Sequence, residues 1–232
     1  MYADVLAAAG VAAGTELLDA GCGSGVALRT AAGLGARVTG LDASPALAAL
    51  AGARVPVADV RVGDVASLPF PDDSFDVVTA FNSFQFADDV TDAFGEAARV
   101  VRFGGRVAVQ MWGRPERCEL LAAIGAIAPF LPGPPPGPPG GGNYSDPGVL
   151  EALAAGAGLS PQSTGDVVSV FEYADDEELL RVMLAAGVTA LAVQRAGEEP
   201  VRAAIREASS PFRTESGSYR FENEWHYLIA AR

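Results

Sequence analysis

The chain has 232 residues, 50% of them hydrophobic, which suits one α/β core with a modest appendage and is short for two large domains. Twenty-nine acidic against 16 basic residues give a formal charge of −13, a field that repels phosphate backbones and anionic bilayers and so sets aside nucleic acid and membrane as partners. All 16 basic residues are arginine, which excludes Schiff-base lysines and lysine-dependent phosphate loops.

The Ala, Gly and Arg bias suggests a GC-rich bacterial genome. No basic residue precedes Arg29, so Met1 to Gly10 lacks the charged start of a signal peptide. Cys22 and Cys118 lie far apart and form neither a metal-type pair nor a disulfide framework, which fits a reducing cytoplasm; no metal site is expected.

In chain order, short apolar runs alternate with Ala-rich helical stretches from Glu16 to Met111, the pattern of βαβ units. Strands are expected near Leu17 to Ala20, Arg37 to Leu41, Val57 to Val62, Phe75 to Phe81 and Arg106 to Met111. Each is apolar with little alternation, as a strand buried on both faces should be. The runs Leu120 to Leu131 and Val182 to Val193 are too short to span a bilayer and read as buried helices.

Leu131 to Pro147, rich in proline and glycine, cannot hold a regular element and is either a linker or a lid over a substrate. Asp146-Pro147 then opens a helix to about Gly156. Val167 to Tyr173 reads as a sixth strand, Asp175 to Arg206 as one or two helices, and Arg220 to Ala230 as a last strand.

The sharpest local signal is Leu17-Leu18-Asp19-Ala20-Gly21-Cys22-Gly23-Ser24-Gly25, a strand turning through glycines into a helix. Glycines allow a ligand close to the backbone, and a helix start offers free N–H groups. A dinucleotide fingerprint needs glycine at the sixth position from Gly21, where this chain has Val26. Asp19 before the first glycine is badly placed for a pyrophosphate and well placed for an ammonium. Taken alone, the segment is also compatible with an ordinary strand-helix turn.

Asp42, at the end of the second expected strand, can accept two ribose hydroxyls or share a helix cap with Ser44. Gly63-Asp64-Val65 precedes Leu68-Pro69-Phe70 and Asp73-Ser74-Phe75-Asp76-Val77-Val78. By itself Asp64 is a turn residue. Phe81-Asn82-Ser83-Phe84-Gln85 leaves the fourth strand at the carboxyl edge, where open α/β sheets bind ligands.

Together these segments, over residues 15–112, resemble class I S-adenosylmethionine-dependent methyltransferases of the small-molecule, ubiquinone-biosynthesis-like branch. The resemblance implies a Rossmann-like, doubly wound, seven-stranded, mostly parallel sheet with an antiparallel last strand and a small helical and loop appendage. It also implies S-adenosylmethionine as cofactor, leaving as S-adenosylhomocysteine. One methyltransferase domain over 1–232 is expected, with 1–112 the cofactor-binding half. Residues 113–160 and 174–217 would supply substrate-side helices and the Pro/Gly loop, and 161–173 and 218–232 the last strands.

By the same resemblance, Asp19, Gly21, Cys22 and Gly23 line the methionine part of the cofactor, while Asp42 and Ala43 take the ribose. Asp64 accepts the adenine amino group, the Val65 amide meets a ring nitrogen, and Phe81, Asn82 and Gln85 flank the transferred methyl. Asp76 is structural. Asn82-Ser83-Phe84 departs from the Asn/Asp-Pro-Pro-aromatic pattern of nucleic-acid amino-methyltransferases. Arg102-Phe103-Gly104-Gly105-Arg106 resembles the family's turn before the fifth strand, with Phe103 in place of proline. With 16 residues before Leu17, the N-terminal cover that many relatives use is expected to be nearly absent.

The partner is expected to be a small-molecule acceptor, and both monomer and homodimer stay open. His226 is a candidate base or an ordinary strand residue. Trp112, Tyr144 and Trp225 are pocket aromatics or packing elements. The competing readings are a non-methylating cyclisation or rearrangement on the same fold, and a non-catalytic binding subunit. An NAD-dependent dehydrogenase is weaker still, for want of the sixth-position glycine.

Overall fold

Every run expected as a strand is one in the computed structural model, which describes residues 1–133, 137–139 and 141–232. The chain runs α1 (Tyr2–Ala8), β1 (Glu16–Ala20), α2 (Val26–Gly33), β2 (Arg37–Asp42), α3 (Pro45–Arg54) and β3 (Asp59–Val62). It continues through β4 (Phe75–Phe81), α4 (Val90–Val100), β5 (Val101–Trp112), α5 (Leu120–Gly125), α6 (Val149–Gly156) and β6 (Ser160–Tyr173). It closes with α7 (Asp176–Leu184), α8 (Gly187–Ala196), α9 (Glu198–Ser209) and β7 (Tyr219–Ala231).

The sheet has the order β3-β2-β1-β4-β5-β7-β6. Strands β1 to β5 pair in parallel, and the last strands are antiparallel. Alternation of side chains along each strand feeds two apolar layers. Leu18, Ala20, Val78, Ala80, Val107 and Val109 face one layer, which α4 and α6 close with Phe94, Ala97, Leu150 and Ala154. Leu17, Val77, Phe81 and Ala108 face the other, covered by α1, α2 and α3 through Leu6, Leu28 and Ala51. Each fully buried Leu or Phe here contributes about 1.5–3 kcal/mol. Helices therefore lie on both faces, the doubly wound arrangement expected.

The chain divides into two compact units: Met1–Met111 with Gly137–Val167 and Trp225–Arg232, and Trp112–Pro136 with Val168–Glu224. The first holds both layers just described. The second has its own core, in which Leu120, Ile127, Leu179, Leu180, Ile205 and Phe221 are buried.

Several expectations need correction. The third strand starts at Asp59 rather than Val57, which is 79% exposed at the edge of the sheet. Arg102 to Arg106 is no turn before β5 but part of it. Phe75 faces Val101 while Val77 faces Arg106, so the stretch bulges against β4, and the Gly104 and Arg232 amides pair it with the end of β7. Asp146-Pro147 does not open α6. Asp146 accepts the Asn143 amide to close a loop, and the helix begins at Val149 after Gly148 in a left-handed conformation.

Asp175 to Arg206 forms three helices rather than one or two, with Asp175 capping the first through the Glu178 amide. Val182 to Val193 is accordingly no continuous buried helix, and Val182, Val188 and Leu191 are exposed. In the Leu131 to Pro147 loop, Pro134-Pro135-Pro136 and Gly140 lie outside the described residues. Among the described residues no single helix is long and apolar enough to cross a membrane.

Candidate functional site

The strand order sets the position of the site. From β1 the chain winds outward through β2 to β3, then crosses back to β4 on the other side of β1. At such a reversal the connections leave the carboxyl ends of β1 and β4 in opposite directions and open a crevice.

Asp19 is the fourth residue of β1, opposite Thr79 of β4, and is buried at 1% exposure. Burial lifts its carboxyl from 3.8 to about 7; the Thr79 hydroxyl, donating at 2.8 Å, works against this and the charge of Asp42 adds to it. A buried acid beside a second carboxylate is electrostatically prepared for a cation.

The glycine turn shows what kind of ligand it can take. The Gly21 and Cys22 amides both donate to the Leu41 carbonyl, the Gly23 amide to Asp42 Oδ2 at 2.8 Å, and the Gly25 amide to the Cys22 carbonyl. These four N–H groups are spent on the protein, so the turn does not cradle a pyrophosphate in the dinucleotide manner. Gly21 has φ +81°, and a Cβ there would meet the Ser83 Cβ at 2.3 Å, so it is a packing requirement. Gly23, at φ +54°, faces open space. The Cys22 side chain is buried, its thiol pushed up to about 12 by burial and then by Asp19 and Asp42. Its Sγ lies where a Cβ on Gly40 would come within 2.9 Å, so the side chain packs against β2.

Asp42 closes β2 with both oxygens engaged, Oδ2 by Gly23 and Oδ1 by the Ser44 amide at 2.9 Å. Ser44 caps α3 through the Leu47 amide, and Ala43 sits between them. Both readings of Asp42 are thus physically present: it anchors the turn before α3, and it lies close enough to Asp19 to raise its pKa. The Gly63 amide bonds the Asp42 carbonyl, bringing the end of β3 alongside. Asp64 itself is exposed, with Oδ1 accepting the Ala66 amide at 2.9 Å in a local turn. Val65 packs on the layer of α4. Asp19 and Asp42 are therefore brought together, whereas Asp64 stands one strand further out.

Two scaffolding groups hold the segments between. Asp76 accepts the Glu16 amide and an Arg102 nitrogen; the Glu16 bond is the largest reason its carboxyl lies below the usual range. Arg99 donates to the Leu68 and Phe70 carbonyls and to Asp72 and Glu96, while Glu96 accepts the Leu68 amide. One guanidinium thus shapes the Leu68-Pro69-Phe70 stretch after β3.

At the exit of β4, Phe81 is buried and Asn82 adopts φ +54°, unusual outside glycine but tolerated by asparagine. The Asn82 amide donates to the Gln110 carbonyl, and its side-chain oxygen accepts Gln85 Nε2 at 2.5 Å. The N-terminal cover expected to be nearly absent is represented by α1. The Tyr2 ring stands edge-on to Phe81 at 4.9 Å, and its hydroxyl is pushed up by burial and then by Asp19. Thr79, Gln110 and Tyr2 escape a sequence reading. The available signal was a polar residue inside an apolar strand run, which holds for the first two.

His226 pairs through Nδ1 with Asp166 Oδ1 at 2.7 Å. Tyr144 packs on the layer of α4 and α6, Trp225 is buried, and Trp112 packs on the core of the second unit. Among the described residues no group of three or more His, Cys, Asp or Glu side chains is arranged to hold a metal ion.

A family model described as a methyltransferase domain matches residues 18–109, the stretch from β1 to β5. A probable S-adenosylmethionine-dependent methyltransferase of Mycolicibacterium smegmatis is 42% identical over 93 residues, 40% of this chain and 36% of that protein. A demethylmenaquinone methyltransferase of Tropheryma whipplei is 38% identical over 113 residues, 47% of this chain and 46% of that protein. The match thus spans under half the length of these two relatives. Among solved structures, the YcgJ protein of Bacillus subtilis superposes with a TM-score of 0.66 at 19% identity, covering 100% of this chain and 97% of that one, a likeness of fold.

Proposed function

We propose, on the match of residues 18–109 to a family model described as a methyltransferase domain, that this chain transfers a methyl group from S-adenosylmethionine to an oxygen, nitrogen or carbon atom of a small-molecule acceptor in biosynthetic metabolism. The observation that carries the reading is the buried Asp19 beside Asp42, at the end of a glycine turn whose amides are already spent. That arrangement favours a ligand with an ammonium group over one with a pyrophosphate.

In this reading Asp19 holds the ammonium, with the backbone of Gly21, Cys22 and Gly23 along the methionine part. Asp42 and Ala43 receive the ribose; each Asp42 oxygen keeps a lone pair beyond the amide it accepts. Asp64 and Val65 meet the adenine, and Phe81, Asn82 and Gln85 border the reacting end. The cofactor, when bound, supplies a methyl group on a positively charged sulfur. The protein's part is alignment and exclusion of water: Tyr2 and Phe81 form an apolar wall, and the Asp42-to-Gly23 bond fixes the turn. The curated relatives are named for methyl transfer, which supports transfer over a cyclisation or rearrangement. The charge of −13 keeps nucleic acid and anionic membrane out of the proposal, and the location proposed is the cytoplasm.

Calorimetric titration with S-adenosylhomocysteine tests the cofactor half, and mass spectrometry of acceptors incubated with S-adenosylmethionine tests the chemistry. Saturable binding and a product heavier by one methyl are expected. No heat with the cofactor product, or a product isomeric with its substrate, overturns the proposal.

A further inference from the structure

We propose that the amino edge of the sheet, opposite the carboxyl-end crevice, carries a second site that takes a small oxyanion, such as a phosphate group, on Arg106. The proposal stands apart from the methyl-transfer reading. A cavity of about 230 Å³ opens there, lined by Gly10 and Thr15 ahead of β1, by Asp76 of β4 and by the Arg102 to Arg106 stretch of β5.

Arginine is the scarcer charge in this chain, 16 against 29 acids, and its neighbours are paired: Arg102 with Asp76, Arg99 with Glu96, Arg232 with Asp73. Among the described residues no carboxylate pairs with Arg106, whose Nη1 donates to the Ala9 carbonyl at 3.2 Å. That bond leaves Nε and Nη2 uncommitted, the two parallel donors that fork onto two oxygens of one anion. Gly10 seats the guanidinium, since a Cβ there would collide with Nη1. Capping the end of α1 accounts for Nη1 alone.

The other polar groups of the cavity favour the same ligand. Asp76 takes the Glu16 amide on Oδ2 and Arg102 on Oδ1, so its carboxylate is already occupied. Thr15 Oγ1 accepts the Ala12 amide at 3.0 Å and keeps its own proton to donate. Open donors beside an occupied acid select an anion over a cation. The overall charge of −13 limits the size of that anion. A polyanion meets the whole field, whereas a small ion in the cavity feels mainly the arginines within a Debye length, about 8 Å.

The same guanidinium holds Ala9, the capping residue of α1, and at the other end of that helix Tyr2 stands on Phe81. An anion that fixes Arg106 therefore also secures α1.

The test titrates inorganic phosphate into the full chain at constant ionic strength, balanced with chloride, and follows calorimetric heat and amide NMR shifts. Saturable one-to-one binding is expected, with shifts in 9–15 and 102–106 and slower hydrogen exchange in α1. Arg106→Gln should weaken binding at least about fivefold, while Arg29→Gln, the same charge change at an exposed position of α2, should leave it within about twofold. Arg106→Lys keeps the charge without the fork and should weaken binding too, so the result does not hang on the folding of one variant. Glycerol phosphate, run alongside, separates two sources of the group: tighter binding than inorganic phosphate assigns an ester, equal binding the free ion. Heat that does not saturate, shifts confined to other segments, or equal weakening by Arg29→Gln and Arg106→Gln overturns the proposal. Binding of S-adenosylhomocysteine is untouched by any of these results.

Discussion

Asp19 and Thr79 face one another across the parallel β1 and β4 strands, and the threonine hydroxyl donates a 2.8 Å hydrogen bond to Asp19 Oδ1. This bond and the burial around it set a testable pH behaviour. Burial holds the native carboxyl at about 7 against 3.8, so between those values the folded chain keeps a proton that the unfolded chain has released. Stability therefore falls as pH rises through that window, by an amount on the order of 2–4 kcal/mol when complete. Asp19→Asn removes the dependence: it should exceed the natural protein in melting temperature at pH 8 and converge with it only below the unfolded value of 3.8. It should also bind S-adenosylhomocysteine at least about tenfold more weakly at pH 8. A stability difference that stays constant from pH 5 to 8 would show that Asp19 does not titrate there.

The two glycines of the turn should separate folding from binding. At Gly21 a methyl group collides with Ser83, whose hydroxyl is itself bonded to the Ala20 carbonyl at 2.6 Å, and φ is +81°. Gly21→Ala should cost about 2–4 kcal/mol of stability, from the left-handed backbone and the clash together. Gly23→Ala pays only the backbone term, about 1–2 kcal/mol, because its Cβ meets nothing within 4 Å. Its effect belongs to the ligand, so S-adenosylhomocysteine affinity should drop further than in a Gly23-intact variant of equal stability. Thermal melts and calorimetry on both proteins decide the matter, and equal stability losses would refute the distinction.

The sheet was readable because its central strands are buried on both faces. Runs such as Leu17 to Ala20 and Phe75 to Phe81 are apolar at nearly every position, and glycine or proline marks the turns between several of them. Edge elements were less legible. β6 begins at Ser160, seven residues before the expected start, and its first residues are largely exposed and polar, so no hydrophobic period reports them. The helix α1 has seven residues and no side-chain cap, and its burial of Val5 and Leu6 and the Tyr2–Phe81 contact hold it. Asp19 and Asp42 stand out in the sequence by their places at expected strand ends, whereas Asp64 is singled out by the resemblance alone. What remained out of reach was which groups they would touch: Thr79 on Asp19 and Gly23 on Asp42 are contacts between segments 60 and 19 residues apart.

His226 and Asp166 offer a choice that kinetics can make. Their 2.7 Å contact joins β6 to β7, the geometry of a cross-strand pair. On that basis His226→Gln should lower stability by less than about 1 kcal/mol and leave kcat within about twofold. A hundredfold loss of kcat with a flattened acid limb in the pH–rate profile would instead make this histidine the base that accepts the acceptor's proton.

In the second unit, Glu224 is buried at 3% exposure and receives Arg114 through Nε and Nη2 at 2.9 Å each, with Arg117 Nε at 2.8 Å. The Arg114 hydrogen bonds are the main reason its carboxyl lies below the ordinary range. A depressed native pKa adds stability that is complete above the unfolded value near 4.5 and is lost as pH falls through the native one. Glu224→Gln keeps the shape but removes the charge that two half-exposed guanidinium groups pair with, and should cost about 1 kcal/mol at pH 7. The loss should appear as faster hydrogen exchange in 112–133 and 168–224, and the gap between variant and natural protein should narrow below about pH 4. A gap that is unchanged at pH 3 would mean that packing, rather than the ion pair, holds Glu224 in place.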